Sequence, residues 1–213
     1  MKPHPVRVVR TFLWAVVLAS GASSASAQEG RDPLMRLERS VRYSVEVLMD
    51  SARLMGLPTG PIESKALEGL AKNKPGRMIL TAARNVFRSL RDARAVLGPK
   101  ATKDELTAAA SALNVGITQA ELAQLGRSQQ GKQLTVPLVV LVDLISRGVP
   151  RDTASQTIFQ LWQRGAADDD FLGLWRGVER DIVSGADPGA ALLNRAREVP
   201  PRGTPPVSPA RPE

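Results

Sequence analysis

The chain is expected to fold as an all-α single domain of about eight to nine short-to-medium helices. Three observations carry that expectation: apolar residues recur at helical spacing, nothing alternates with the period of two of a half-buried strand, and Gly-apolar connectors close one segment after another.

The N-terminal element comes first. A basic stretch Met1 to Arg10 is followed by an apolar run, Thr11 to Ala19, and by small residues closing on Ala25-Ser26-Ala27. That order is a secretory signal peptide cleaved after Ala27. The run is well short of the roughly 20 residues that span a bilayer, so no transmembrane helix is expected after signal cleavage. No cysteine follows it and no Arg-Arg pair precedes it, which excludes a lipoprotein and speaks against the twin-arginine route. The expected plan is a cleavable leader over 1–27, a helical domain over 28–198 and a disordered Pro-rich tail over 199–213. The protein is read as exported, periplasmic or secreted.

Within the domain, Asp32-Pro33 reads as an N-cap and first helical residue of a long helix, whose buried face is Leu34, Leu37, Val41, Val45, Leu48, Ala52 and Met55. A second helix is expected over Ile62 to Ala71. A third, Met78 to Leu97, buries Ile79, Ala83, Val86, Leu90, Ala93 and Leu97. Thr102-x-x-Glu105 and Thr118-x-x-Glu121 are capping boxes, each opening a short helix. Leu138 to Ile145 is apolar nearly all round and is expected to be the most buried helix, with Pro137 in its first turn and Asp143 inside it. Further helices are expected over Asp152 to Gln163, Asp168 to Ser184 and Pro188 to Arg197.

The connectors share a design: Gly56-Leu57-Pro58, Gly116-Ile117-Thr118, Gly148-Val149-Pro150, Gly165-Ala166-Ala167 and Gly185-Ala186-Asp187. Glycine suits the left-handed residue that ends a helix, and the next apolar residue packs back on the last turn. Tight turns of this kind predict either stacked helical hairpins or a compact orthogonal bundle. Gly56-Leu-Pro-Thr, Lys65 to Lys72, the Arg147-Gly-Val-Pro150 connector and Val178 to Gly185 resemble an uncharacterised group of exported Ala/Leu-rich all-helical bacterial proteins with Gly-apolar-Pro helix connectors. The resemblance covers roughly Leu57 to Arg197 and implies no activity and no catalytic residue. Asn73-Lys74-Pro75 departs from the connector pattern, but asparagine tolerates the left-handed conformation and the turn should survive.

Processing also alters the chemistry. His4 is the single histidine and lies in the leader, and the chain has no cysteine. The mature protein therefore lacks imidazole and thiol groups, which removes Ser-His and Cys-His nucleophiles, ordinary zinc sites, haem ligation and disulfides. Lys2, Arg7 and Arg10 leave as well, and a net charge of +8 becomes +5. No catalytic residue, metal or cofactor is assigned.

Three motifs have an outline of chemistry. Gly126 to Lys132 has a phosphate-loop outline, but Gln133 stands where magnesium needs a hydroxyl and no strand precedes it. Glu63-Ser64 brings to mind the lone glutamate of helical cell-wall lyases without their companion motif; a first-turn carboxylate facing the helix dipole is the simpler reading. Asp168-Asp169-Asp170 reads as helix capping before a calcium site.

Two sets of residues remain as candidate binding surfaces. Arg77, Arg84, Arg88 and Arg91 share the face of the third helix opposite its apolar stripe. Phe159, Trp162, Phe171 and Trp175 are expected to meet across one helical hairpin, as core or as an apolar groove. The expected function is that of a non-enzymatic protein-binding or scaffold protein of the cell envelope. A carboxylate-only hydrolase or lyase and a peripheral binder of anionic envelope surfaces are the alternatives. The partner is expected to be another envelope protein or an anionic envelope component, and not nucleic acid, since export removes that target.

Overall fold

A computed structural model describes residues 33–128 and 131–201. The expected leader, the N-cap at Asp32, the centre of the Gly126 to Lys132 loop and the tail beyond Pro201 lie outside the described residues.

The described chain is helical throughout. A single 3-10 turn, Pro33–Arg36, precedes α1 (Arg39–Leu54), α2 (Gly60–Ala71), α3 (Gly76–Leu97), α4 (Lys103–Asn114), α5 (Gln119–Ser128), α6 (Thr135–Ser146), α7 (Arg151–Gln163), α8 (Asp168–Val183) and α9 (Pro188–Glu198). Both capping boxes form. Thr102 Oγ1 accepts from the Glu105 N–H at 3.1 Å while Glu105 Oε2 accepts from the Thr102 N–H at 2.9 Å, and Thr118 and Glu121 repeat the exchange. At α9 the Asp-Pro start is realised: Asp187 Oδ1 accepts from the Ala190 N–H at 2.9 Å, and Pro188 fills the first position.

The start of α1 differs from expectation. Leu34 and Leu37 are buried as expected, but they belong to the 3-10 turn and an extended step, with Glu38 at φ −53° and ψ 139°. A spacing of three suits both kinds of helix, so the pattern ran through the break. At the other end Met55 is the C-cap and is half exposed, and Met49 takes its place on the buried face.

The connectors all close in one way. At the end of α6 the Val149 N–H donates to Leu144 O and the Gly148 N–H to Ile145 O, both at 3.0 Å, with Gly148 at φ 93°. This is the Schellman arrangement, and the turns after α1, α4, α7 and α8 repeat it. Leu57, Ile117, Val149 and Ala166, the residues after the glycines, are buried against the turns they close. After α2 the same bonds form around Asn73 at φ 50°, so asparagine does hold the left-handed position there.

The packing resolves the choice between bundle and stack. α3, α5, α7 and α9 pack successively side by side, with α1 against the other side of α3 as the edge among the described residues; α4, α6 and α8 form a second row. Between the rows, α3 packs on α2 and α4, α6 on α7, and α8 on α9. Every substantial helix contact joins elements one or two places apart in the chain, which is the stacked arrangement. The core runs along the stack between the rows. Leu138, Leu141 and Leu144 of α6 are buried there, and α4 contributes Leu106 with Ala108, Ala109, Ala110 and Ala112. The two central helices are thus equally buried, and Val139, inside the apolar run of α6, is half exposed.

Candidate binding surfaces

A groove that no motif announced crosses the second row. α2 and α4 both lean on α3 with little or no packing on one another, and the gap between them is a cavity of about 590 Å3 with Val86 of α3 among its lining residues. On the other side of α4 a second cavity of about 450 Å3 runs along α6, past Thr135, Val139 and Ser146. Thr107, Ser111 and Val142 line both, so the two form one groove across α2, α4 and α6. α4 makes this possible because its residues are small. The Thr107 hydroxyl donates to Lys103 O at 2.9 Å and the Ser111 hydroxyl to Thr107 O at 3.0 Å. The hydroxyls turned to their own helix leave a low wall of carbon and small groups.

Charges mark the ends of the groove. At the α2 end Glu68 accepts from Lys65 and Lys72, and these bonds hold its carboxyl down at about 2. At the α6 end lies Asp143, which accepts both from Trp175 Nε1 of α8 and from Arg147 Nε. Arg147 lies 5.5 Å from the Trp175 ring centroid and reaches Glu179 Oε1 at 2.9 Å. Its pKa is raised, chiefly by the Asp143 hydrogen bond. The polar residue inside the apolar helix is therefore the anchor that fastens α6 to α8.

That anchor corrects the expected aromatic cluster. Trp162 and Phe171 do meet, with ring centroids 6.3 Å apart, and both are buried; Trp162 Nε1 donates to Leu125 O at 3.1 Å. Trp175 turns instead to Asp143, and Phe159 lines a separate cavity of about 280 Å3 between α5 and α7. The four were expected to meet because α7 and α8 were read as a hairpin, but those helices pack mainly on α6 and α9.

The arginine stripe has the geometry expected of it. Arg77, Arg84, Arg88 and Arg91 are all exposed on α3, and none makes an ion pair among the described residues. Among the described residues the stripe guanidiniums make one hydrogen bond, a long one of 3.4 Å from Arg88 Nη1 to Asn85 Oδ1.

Of the carboxylate motifs, one residue caps a helix and the others lie in first turns. Glu63 lies half-buried in the first turn of α2. Asp168, Asp169 and Asp170 open α8, where Asp170 Oδ2 accepts from the Ala167 N–H at 2.8 Å. Asp169 and Asp170 border a cleft of about 430 Å3 that also meets Arg176, Arg180 and Arg195. Among the described residues no three His, Cys, Asp or Glu side chains gather as metal ligands, and no helix is long and apolar enough to cross a membrane. Comparison with protein-family models, curated proteins and solved structures finds no match to this chain.

Proposed function

We propose that the protein is an exported, non-catalytic scaffold that holds a segment of another envelope protein in the groove across α2, α4 and α6. The observation that carries this reading is the continuity of the two cavities through Thr107, Ser111 and Val142. Small residues on a helix let a second backbone approach closely, and a groove with an apolar floor and a few charges at its ends is the form that receives a helix or an extended strand of partner. The leader read from the sequence supports a partner outside the cytoplasm.

The test is site-specific photocrosslinking in the native host, with the reactive group at Ser111 and, as a control, at Gln163 on α7. A discrete adduct from Ser111, lost when Thr107→Tyr fills the groove, supports the reading. Identical adduct patterns from both positions, or none from Ser111, would sink it. N-terminal sequencing of the accumulated protein checks the export step separately, with Gln28 as the expected first residue.

A further inference from the structure

Large apolar side chains are exposed unevenly on this molecule. Of the nine exposed among the described residues, Met35, Tyr43, Val47, Leu54, Met55 and Met78 all lie on the 3-10 turn, on α1 or its C-cap, or on the first turn of α3. Three of them form a row. Tyr43, Val47 and Leu54 fall within about 40° of one another on α1, at roughly 100° per residue, and are 68%, 45% and 90% exposed. Among the described residues α1 ends the stack, where helical repeat proteins normally turn a polar face outward.

Beside this row runs the arginine stripe. A Cβ on Gly76 would fall 2.5 Å from Val41 Cγ2, and Arg94 Nη2 donates to Gly56 O at 3.1 Å, so α1 and α3 run parallel with their starts and ends level. Val47 is then about level with Arg84, and Leu54 with Arg91. Both rows lie opposite the buried faces of their helices, Val41, Val45 and Ala52 on α1 and Ile79, Ala83 and Leu90 on α3. The acids on α1 are engaged: Asp50 pairs with Arg53, and Glu46 with Arg42 at 3.6 Å. On α3 the neighbouring acid is Asp92, which is half-buried and makes no ion pair among the described residues.

We infer that this face lies on a bilayer carrying anionic phospholipid, with Tyr43, Val47 and Leu54 entering the interface and Arg84, Arg88 and Arg91 on the headgroup phosphates. Charge complementarity selects the occupant, because three guanidiniums with no ion pair among the described residues, beside an apolar row, match a surface that is anionic outside and apolar beneath. Shape agrees with it. None of the cavities described above is lined by these six residues, and a fluid bilayer, unlike a folded partner, needs no matching concavity. A second copy of the chain docked here would bring one arginine row toward another, and like charges repel. Tyrosine is also a residue of the membrane interface, apolar in its body and polar at its tip. The inference is independent of the groove, since no residue is shared.

The experiment is sedimentation of the full chain with vesicles of phosphatidylcholine, alone or mixed with phosphatidylglycerol, at low and high salt. The N-terminal apolar run is common to every chain compared, so only differences between variants are read. The wild type should favour the anionic vesicles and lose that preference in high salt. Arg84→Ala/Arg88→Ala/Arg91→Ala should weaken the partition on the order of 100-fold, at roughly fivefold per residue. The corresponding triple Lys variant should keep it. Val47→Ser/Leu54→Ser should weaken it by roughly tenfold. Unchanged partition in either the Ala or the Ser variant overturns the inference. So does self-association in sedimentation velocity without lipid that Leu54→Ser abolishes, which would assign the face to a second copy.

Discussion

In the C-terminal part of the stack Arg147, Arg151 and Arg195 each reach a carboxylate on another helix: Glu179 on α8, Glu121 on α5 and Asp181 on α8. On α3, by contrast, Arg77, Arg84, Arg88 and Arg91 stand exposed with no carboxylate partner among the described residues. Residue type is the same in both regions, and what differs is whether a neighbouring helix presents an acid at the right level. One set closes the molecule on itself, and the other leaves its charge turned outward. The paired arginines hold helices together, and the unpaired ones form the face proposed to meet anionic lipid.

If that division is right, substitutions in the paired region cost stability and substitutions on α3 do not. The largest effect is expected at Asp143. Asp143→Ala strands the Trp175 indole N–H and removes one of two partners of Arg147, a loss of about 2 kcal/mol for hydrogen bonds to a charged group. That is about 5 °C in Tm by thermal melting for a domain of this size. Arg151→Ala comes next. It removes the bonds to Gly116 O at 2.8 Å and Glu121 Oε2 at 2.6 Å that tie the starts of α5 and α7 together. Both partners are about one-third exposed, so about 1 kcal/mol is expected in urea denaturation.

Acid probes the same pairs from the other side. The Glu68 carboxyl is held to about 2 by Lys65 and Lys72, and the Asp181 carboxyl is held low by Arg195. For Glu121 burial pushes upward, but Thr118 and Arg151 outweigh it. A carboxyl lowered by folding stabilises above its unfolded value and loses that contribution as protons bind it. Tm should therefore be level down to about pH 5 and decline below about 4.5, where unfolded carboxyls titrate. Glu68 and its partners are exposed, so solvent screening keeps its share of the decline modest. The smallest effect is on α3. Arg84→Ala/Arg88→Ala/Arg91→Ala should change unfolding free energy by no more than about 0.5 kcal/mol. A larger loss in the same melting assay would show that the stripe is structural and erase the contrast.

How much of this was readable in the residues follows the range of each interaction. The capping boxes and glycine turns are contained within a few residues, so Thr102, Thr118, Gly148 and even the left-handed Asn73 were legible. The arginine stripe needed only helical spacing. The partners of Arg195, Arg151 and Trp175, by contrast, lie 14, 30 and 32 positions away. No periodicity reports those. The capping glutamates show the same limit. Glu105 also accepts from the Leu134 N–H at 3.1 Å, and Glu121 also holds Arg151, so each local motif has a second, long-range use. The groove is not legible in the sequence because it arises where α2 and α4 barely pack on one another, although the run of alanines flanked by Thr107 and Ser111 marks the helix that forms its wall.

Helices that lean only on neighbours one or two places away have a further consequence. Opening one end of such a chain leaves the remainder supported by its own contacts, so its cooperative units are pairs and triplets of helices rather than the whole. Amide hydrogens should exchange slowest in α6, which is flanked on both sides of its row, and fastest in α1 and α9. The short sequence separation of those contacts also predicts rapid folding, because few long loops must close before packing begins. A helix pair could be added to or lost from either end in evolution without rebuilding what lies between.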